Sequence, residues 1–411
     1  MPEFLKLLPP KDALHTFFDN LPSGIKPEIE RCQTENAHGR VLAVDVFAPH
    51  PMPEFSKSTV DGYAVWAKNT FGATESQPAY LRIAGEVQMG RRPVRQIEPG
   101  TCMVIHTGGM LPDNADAVVM LEYTQQSLLD EIEILRPVAK GENVIQVGEE
   151  IVQGEIFLQT GKKISIAELG GLLALGITEV PVFRRPKIGI ISTGDEVVPP
   201  DQRAEPGTVR DVNSYTLAAL VREVGGDPEL YGIVKDDFDQ LRDKAIHALR
   251  ACQALIITAG SSASARDMTA TVINELGQPG VVVHGVNVKP GKPTILGVCG
   301  GKPVIGLPGN PVSAYVIARL FVAPLVEALT GQNGAAYQPS IKAALAINLA
   351  SQSGREEWIP VKLRSEGTQT LAEPVFSKSN LILNLANIDG FIHIVPSANG
   401  IPAGTIVDVL L

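Results

Sequence analysis

The sequence predicts a chain of several domains in which an α/β domain is flanked on both sides by β-rich regions. Three observations carry that expectation. Segments of strand and helix character alternate between residues 187 and 330. Residues 60–136 and 335–411 instead show short apolar runs broken by glycine-rich turns, the texture of β structure. A length of 411 residues, at about 150 residues per domain, makes two to four domains.

The elements follow in order. Ala13, Leu14, Phe17, Phe18 and Leu21 recur at helical spacing and predict a helix over Lys11–Leu21, stopped by Pro22 and Gly24. Residues 49–55 form a proline-rich connector, and Tyr80–Ile83 and Ala117–Leu121 read as strands. Ala167–Leu175 is a short apolar helix ended at Gly176. The α/β region offers strands at Lys187–Ser192, Glu229–Val234, Ala254–Thr258, Val281–Val283 and Val304–Leu307. Helices over 214–224, 238–250, 267–276 and 311–329 lie between them or follow. That alternation predicts a parallel sheet with helices packed on it. The tail, ending Ala403–Leu411, returns to β texture.

Composition narrows the function. Hydrophobic residues are 44% and charged residues 19%, enough apolar content for sizeable cores and against wholesale disorder. Lys and Arg number 35 against 45 Asp and Glu, for a net charge of −10. Without a cationic block this argues against a general nucleic-acid binder, which must neutralise phosphates. No apolar run approaches the length of a membrane span. The opening Met1–Lys6 lacks a basic segment followed by an apolar stretch, so no signal peptide is read and a cytoplasmic protein is expected. Cys32, Cys102, Cys252 and Cys299 are widely separated and read as reduced, packed thiols. The seven histidines show no zinc-ligand spacing.

In an open parallel α/β sheet, ligands bind beyond the carboxyl ends of the strands. The segments that follow the predicted strands are Ser192–Glu196, Lys235–Asp237, Ala259–Asp267 and Pro308–Pro311. They place Asp195, Glu196, Asp236, Asp237 and Asp267 on one rim, with Lys289 and Lys292 of a Lys-Pro-Gly-Lys segment near in sequence. Carboxylates from several loops suit Mg2+, which takes one or two of them plus substrate phosphates. Gly260, Ser261, Ser262 and Ser264 precede a helix start, where N–H groups and hydroxyls hold anions. Asn310 before Pro311 reads as a helix N-cap. Together these residues read as a site for a phosphorylated small molecule with a divalent cation. Taken singly, Asp195 and Glu196 are equally well helix caps or solvated, Asp236-Asp237 a solvated loop and Pro308–Pro311 a plain turn. No P-loop and no G-x-G-x-x-G after a strand is present, which disfavours nucleotide hydrolysis or dinucleotide redox of those kinds.

The order Ser58-Thr-Val-Asp-Gly-Tyr-Ala64, Thr107-Gly-Gly-Met-Leu-Pro112, Gly141-Glu-Asn-Val144, Gly148-Glu-Glu150, Ser192-Thr-Gly-Asp-Glu196, Lys289-Pro-Gly-Lys292 and Gly306-Leu-Pro-Gly-Asn-Pro311 resembles molybdopterin molybdenumtransferase, the MoeA-type enzyme also seen as the E domain of gephyrin. The resemblance runs over nearly the whole chain. It implies a three-layer αβα molybdopterin-binding domain, an inserted β-rich domain and a C-terminal β-barrel domain. The implied regions are 1–46 plus 155–184 for dimerisation, 47–154 for the insert, 185–334 for molybdopterin binding and 335–411 for the barrel. It further implies a homodimer with an intersubunit cleft, in which adenylylated molybdopterin takes molybdenum from molybdate, or tungsten from tungstate, and AMP leaves with Mg2+ participation. The resemblance also points to the molybdopterin adenylyltransferase and cofactor-accepting proteins as partners. Carried over by position, Asp61, Glu196, Asp236 and Asp267 are catalytic, and Glu150, Glu196, Asp236 and Asp267 are the metal set. Thr107, Gly260, Ser261, Ser262, Ser264, Lys289, Lys292, Pro308, Gly309 and Asn310 hold substrate. Molybdenum would sit on the substrate's own sulfurs, which agrees with the lack of a Cys/His ligand cluster.

The chain departs from that pattern at Ala259 and Ser264, where the family has glycines, and at Gly285, where it carries Lys or Arg. Ile145 and Val60 replace a usual Arg and Met, and Glu150 a usual Asp. The alternative function is therefore a weakly catalytic relative that binds, carries or senses the pterin.

Overall fold

The computed structural model describes residues 7–22, 27–259, 263–332, 339–376 and 378–411, with the backbone alone for 263–266. The chain forms two compact units. One comprises Met1–Ala43, Gly161–Ser165 and Val180–Leu411, the other Val44–Thr160 and Ile166–Glu179. The implied region 1–46 plus 155–184 is shared between these two units.

The first unit holds the α/β domain. Its strands are β1 (Lys187–Thr193), β2 (Asp227–Val234), β3 (Ala254–Thr258), β4 (Pro279–His284), β5 (Ile295–Cys299) and β6 (Lys302–Leu307). They form one sheet in the order β2-β1-β3-β6-β5-β4. Its helices are α1 (Asn213–Glu223), α2 (Phe238–Ala251), α3 (Ala263–Glu275), α4 (Pro311–Ile317) and α5 (Ala323–Leu329), the last two joined through the π turn Ala318–Val322. The period-two pleat of the strands sorts the side chains. Ile188, Ile190 and Ile256 pack with Leu217 and Val221 of α1 and with Phe321 and Leu325 from the π turn and α5. Ile191, Leu255 and Ile257 pack with Leu241 of α2 and with Val272 and Ile273 of α3. The result is the three-layer sandwich expected. Each fully buried isoleucine contributes about 2 kcal/mol of hydrophobic stabilisation before entropy is counted, so the strand ends are fixed by a rigid core.

Three expectations need correction. The sheet is mixed: β5 runs antiparallel to both β4 and β6, turning through Gly300-Gly301. Within β5, Gly297 has no room for a side chain, because a Cβ there would lie 2.5 Å from Ile273 Cγ2. Second, Pro311–Leu329 is a 19-residue helix of mean hydropathy 1.7, long and apolar enough to cross a membrane by length and composition. In this fold 67% of that stretch is buried, so it serves as the central helix of the domain. The helix expected to start at 267 begins four residues earlier, at Ala263.

The C-terminal strands Ser340–Leu345, Glu356–Glu366, Gln369–Pro374, Gly390–Ile394 and Ile406–Leu410 close on themselves as a five-stranded barrel. Val361, Ala372, Ile392 and Val409 fill it. The short strand Val288–Lys289 pairs in parallel with Glu356-Glu357 of the barrel.

The second unit is built on a six-stranded sheet in the order Ala117–Met120, Gly62–Val65, Thr101–Ile105, Ala79–Glu86, Glu131–Ile134, Thr124–Leu128. The free cysteines are packed as expected, with Cys102, Cys252 and Cys299 buried. Burial raises the Cys102 thiol to about 12 and that of Cys299 to about 11.

Candidate functional site

Strand order sets the rim. The carboxyl ends of β2, β1, β3 and β6 lie side by side, so the segment after β1 and that after β6 are two strand spacings apart, about 10 Å. Gly194 at the end of β1 donates its N–H to Val234 O at the end of β2, at 3.1 Å. Lys235 Nζ donates to Asp195 O at 3.2 Å, and Asp236 N–H to Asp195 Oδ1 at 3.3 Å. Three carboxylates thereby gather at one corner. Partial desolvation, followed by the charges of Asp195 and Glu196, raises the Asp236 carboxyl above its ordinary range. Gly194 is required here: at φ +140°, a Cβ would lie 2.8 Å from Glu196 Oε2. Asp237 has a separate, structural task, since its Oδ1 accepts the Gln240 N–H at 2.9 Å and caps α2.

The other end of the rim is cationic. A cavity of about 580 Å³ lies between the α/β domain and the barrel, lined by Lys289, Lys292, Pro293, Val312, Ser313, Arg355, Glu357 and Ser379. The long helix starts here at Pro311, its dipole adding positive potential. Asn310 occupies the N-cap position but does not cap with its side chain. Its Nδ2 donates instead to Ser379 Oγ at 3.1 Å, and Val312 N–H donates to Ser379 O at 3.0 Å. Lys289 Nζ contacts both oxygens of Glu357 at 3.3 Å, and Glu357 is only 4% exposed. Lys292 and Arg355 make no ion pair among the described residues. Three cations against one carboxylate, with two hydroxyls and a helix start, suit a multiply charged oxyanion.

The structure thus brings Glu196 with Asp236, and Lys289 with Lys292 on one cavity, to whose lining residue Ser379 Asn310 is bonded; Pro308 and Gly309 do not line that cavity. It adds Arg355, Ser313 and Ser379, which the sequence did not reveal. Ser379 and Arg355 come from the β tail and carry no local motif; only the barrel's closure against Lys289 places them. Gly309 O accepts from Asn213 Nδ2 at 2.9 Å, tying the Pro308–Pro311 turn to α1. Asp267 is exposed on α3, its carbonyl accepting the Thr271 hydroxyl at 2.8 Å. Gly260, Ser261 and Ser262 lie outside the described residues, as does the side chain of Ser264. Gly285, where the family carries a cation, has φ +93°, a conformation that strains any side chain.

Asp61, Thr107 and Glu150 belong to the other compact unit. There Asp61 Oδ1 accepts from Thr107 N–H at 2.8 Å and from Thr107 Oγ1 at 3.2 Å. These bonds, led by the backbone one, hold the Asp61 carboxyl below its ordinary range. Glu150 sits on a different turn, its N–H donating to Met52 O at 2.9 Å. Among the described residues no three His, Cys, Asp or Glu side chains form a group that could hold a metal. Glu196 and Asp236 remain as a pair, and a crowded pair on a phosphate-binding rim fits the way Mg2+ is held. Another cavity, of about 750 Å³, lies along α4 and α5 against Phe391 and Leu411 and contains none of the expected site residues.

Comparison with known proteins agrees with this architecture piece by piece. Residues 8–176 match the MoeA N-terminal region (domain I and II), 189–328 the probable molybdopterin binding domain, and 342–411 the MoeA C-terminal region (domain IV). A protein named for molybdopterin biosynthesis in Methanocaldococcus jannaschii is 35% identical over 98% of both chains. Molybdopterin molybdenumtransferase 2 of Mycobacterium tuberculosis is 34% identical over 90% of this chain and 91% of its own. A crystal structure of the Pyrococcus horikoshii molybdopterin biosynthesis MoeA protein superposes with a TM-score of 0.81 at 36% identity, covering 99% of each chain. By sequence, by domain order and by fold, the chain belongs to the MoeA family.

Proposed function

We propose that the protein inserts molybdenum into molybdopterin in molybdenum cofactor biosynthesis, acting on the adenylylated pterin and releasing AMP. The observation that carries this is that one compact unit holds both a cationic cavity, at Lys289, Lys292 and Arg355, and a crowded acidic corner, at Glu196 and Asp236, beyond the strand ends. Lys289, Lys292, Arg355 and Ser379 would hold molybdate, whose charge and tetrahedral oxygens match them. Glu196 and Asp236 would hold Mg2+, which supplies charge neutralisation on the phosphate oxygens of the anhydride. The Pro308–Asn310 turn, anchored to Asn213 and Ser379, positions the phosphate-bearing end of the pterin. In the second unit, Asp61 is fixed through one oxygen by Thr107, leaving the other for substrate. Homodimerisation belongs to the same reading, and sedimentation at assay concentration tests it.

The decisive experiment mixes purified protein with adenylylated molybdopterin, Mg2+ and molybdate or tungstate, and measures AMP and metal-loaded cofactor. Turnover with either oxyanion is expected. Stoichiometric pterin retention without AMP would instead make the protein a carrier, the reading that Ala259 and Ser264 motivate.

A further inference from the structure

His106 immediately precedes Thr107, and no motif in the sequence singles it out. Its Nε2 lies 3.0 Å from Glu86 Oε1 and its Nδ1 3.7 Å from Asp61 Oδ1. Those two carboxylates, one from the turn before the Gly62–Val65 strand and one from the end of the Ala79–Glu86 strand, are the charged groups that face the ring. The nearest basic side chains in sequence, Arg91, Arg92 and Arg95, are on the exposed loop after Glu86, and Arg95 is committed to Ala84 O at 2.6 Å. The side chains of His106, Asp61 and Glu86 are 49%, 58% and 61% exposed. Ion pairs so exposed add about 1 kcal/mol of stability at most, so the cluster is not there to hold the fold. Asp61 is held chiefly by the Thr107 backbone N–H, with His106 a smaller contributor.

We propose that His106 is a positioning residue whose protonation sets the net charge that Asp61 and Glu86 present to an anionic substrate. With a neutral ring, Nε2–H donates to Glu86 and the Nδ1 lone pair faces Asp61, and two negative charges meet the incoming anion. With a protonated ring, both N–H groups face carboxylates and one of those charges is cancelled. Histidine is the side chain that makes this change between pH 5 and 8. The proposal rests on the reading of Asp61 and Thr107 as substrate-facing groups.

The test measures KM and kcat for adenylylated molybdopterin from pH 5.5 to 8.5 in wild type, H106Q, H106R and E86Q. At the acid end H106Q is expected to raise KM about fivefold, the scale of one exposed charge pair, with the loss falling on KM rather than kcat. Wild-type KM is expected to rise toward that of H106Q from the acid to the alkaline end of the range. H106R, a permanent cation between the two acids, keeps a low KM throughout, and E86Q lowers KM at the alkaline end. Comparison with H106R removes the substrate's own titration. A wild-type and an H106Q profile that superimpose, or an H106R profile that follows H106Q, overturns the proposal alone. Absence of wild-type turnover overturns the functional reading and this assignment with it.

Discussion

Asp236 is the residue where function and stability pull apart. Its carboxyl is raised by desolvation and by two neighbouring carboxylates, so the folded state binds a proton more tightly than the unfolded chain does. Between the unfolded and folded values the native state carries more protons, and stability therefore falls as pH rises through that window. The contribution is fully present below the unfolded carboxylate value, about 3.9, and lost above the folded one. D236N removes the repulsion without changing the shape. Thermal unfolding at pH 7 is expected to show D236N more stable than wild type by about 0.5 kcal/mol, a figure kept small because the group is exposed. The difference should vanish near pH 3.5, and turnover should fall at least tenfold. A D236N variant less stable than wild type at pH 7 would show that Asp236 is held by attraction instead. The sequence made Asp236 visible as an acid after a strand, but not its neighbour's different task. Asp236 and Asp237 are adjacent and chemically alike, and only the start of α2 decides that Asp237 is a cap.

At the scale of elements, the segment Lys289–Lys292 shows how one motif divides its labour. Its two lysines are three residues apart, but the short strand Val288–Lys289 pairs with the barrel, which carries Lys289 onto the buried carboxylate of Glu357. Lys292 lines the same cavity with no such partner among the described residues. K289A leaves Glu357 buried and unpaired, a change that costs about 2 kcal/mol here, below the range for fully buried pairs because Lys289 is itself exposed. K292A removes only a charge at a surface. Both variants are therefore expected to weaken molybdate binding by about tenfold in calorimetric titration, and K289A alone to lower Tm by several degrees. Equal Tm values would mean that Glu357 finds another partner. This division also explains what was legible. The Lys-Pro-Gly-Lys and Pro-Gly-Asn-Pro turns are local, so their residues could be named from sequence, as could the four parallel strands, each of which carries Ile or Val. Arg355, Ser379 and β5 were not legible. The first two reach the cavity only through barrel closure, and β5 is a five-residue strand whose Gly297 packs closely against Ile273. His106 was hidden for a third reason, since its partners Asp61 and Glu86 come from separate strands that only sheet pairing brings together.

For the whole molecule, the consequential fact is that the chain passes between its two compact units four times, at residues 43–44, 160–161, 165–166 and 179–180. Each unit has its own core, one assembled around Val65, Leu81 and Ile132 and the other around Ile190, Ile256 and Phe321. Separate cores support separate cooperative transitions. The cavity proposed for molybdate lies wholly within the first unit, so a ligand bound there is expected to stabilise that unit by mass action and to leave the other unchanged. At a free concentration about 100 times Kd the gain is about 2.7 kcal/mol, which moves Tm by several degrees for a unit of this size. The protein supplies its own reporters, because its two tryptophans fall one in each unit, Trp66 in the second and Trp358 in the first. Thermal melts followed by fluorescence in W66F, where only Trp358 reports, are expected to shift upward with molybdate or with tungstate, whichever the cavity prefers. Melts of W358F, reporting through Trp66, are expected to stay in place. Trp358 also lines the cavity, so calorimetry of the wild-type chain must show the same selective shift. A single transition that moves as a whole under both reporters would mean that the two units unfold as one, and would refute their energetic independence.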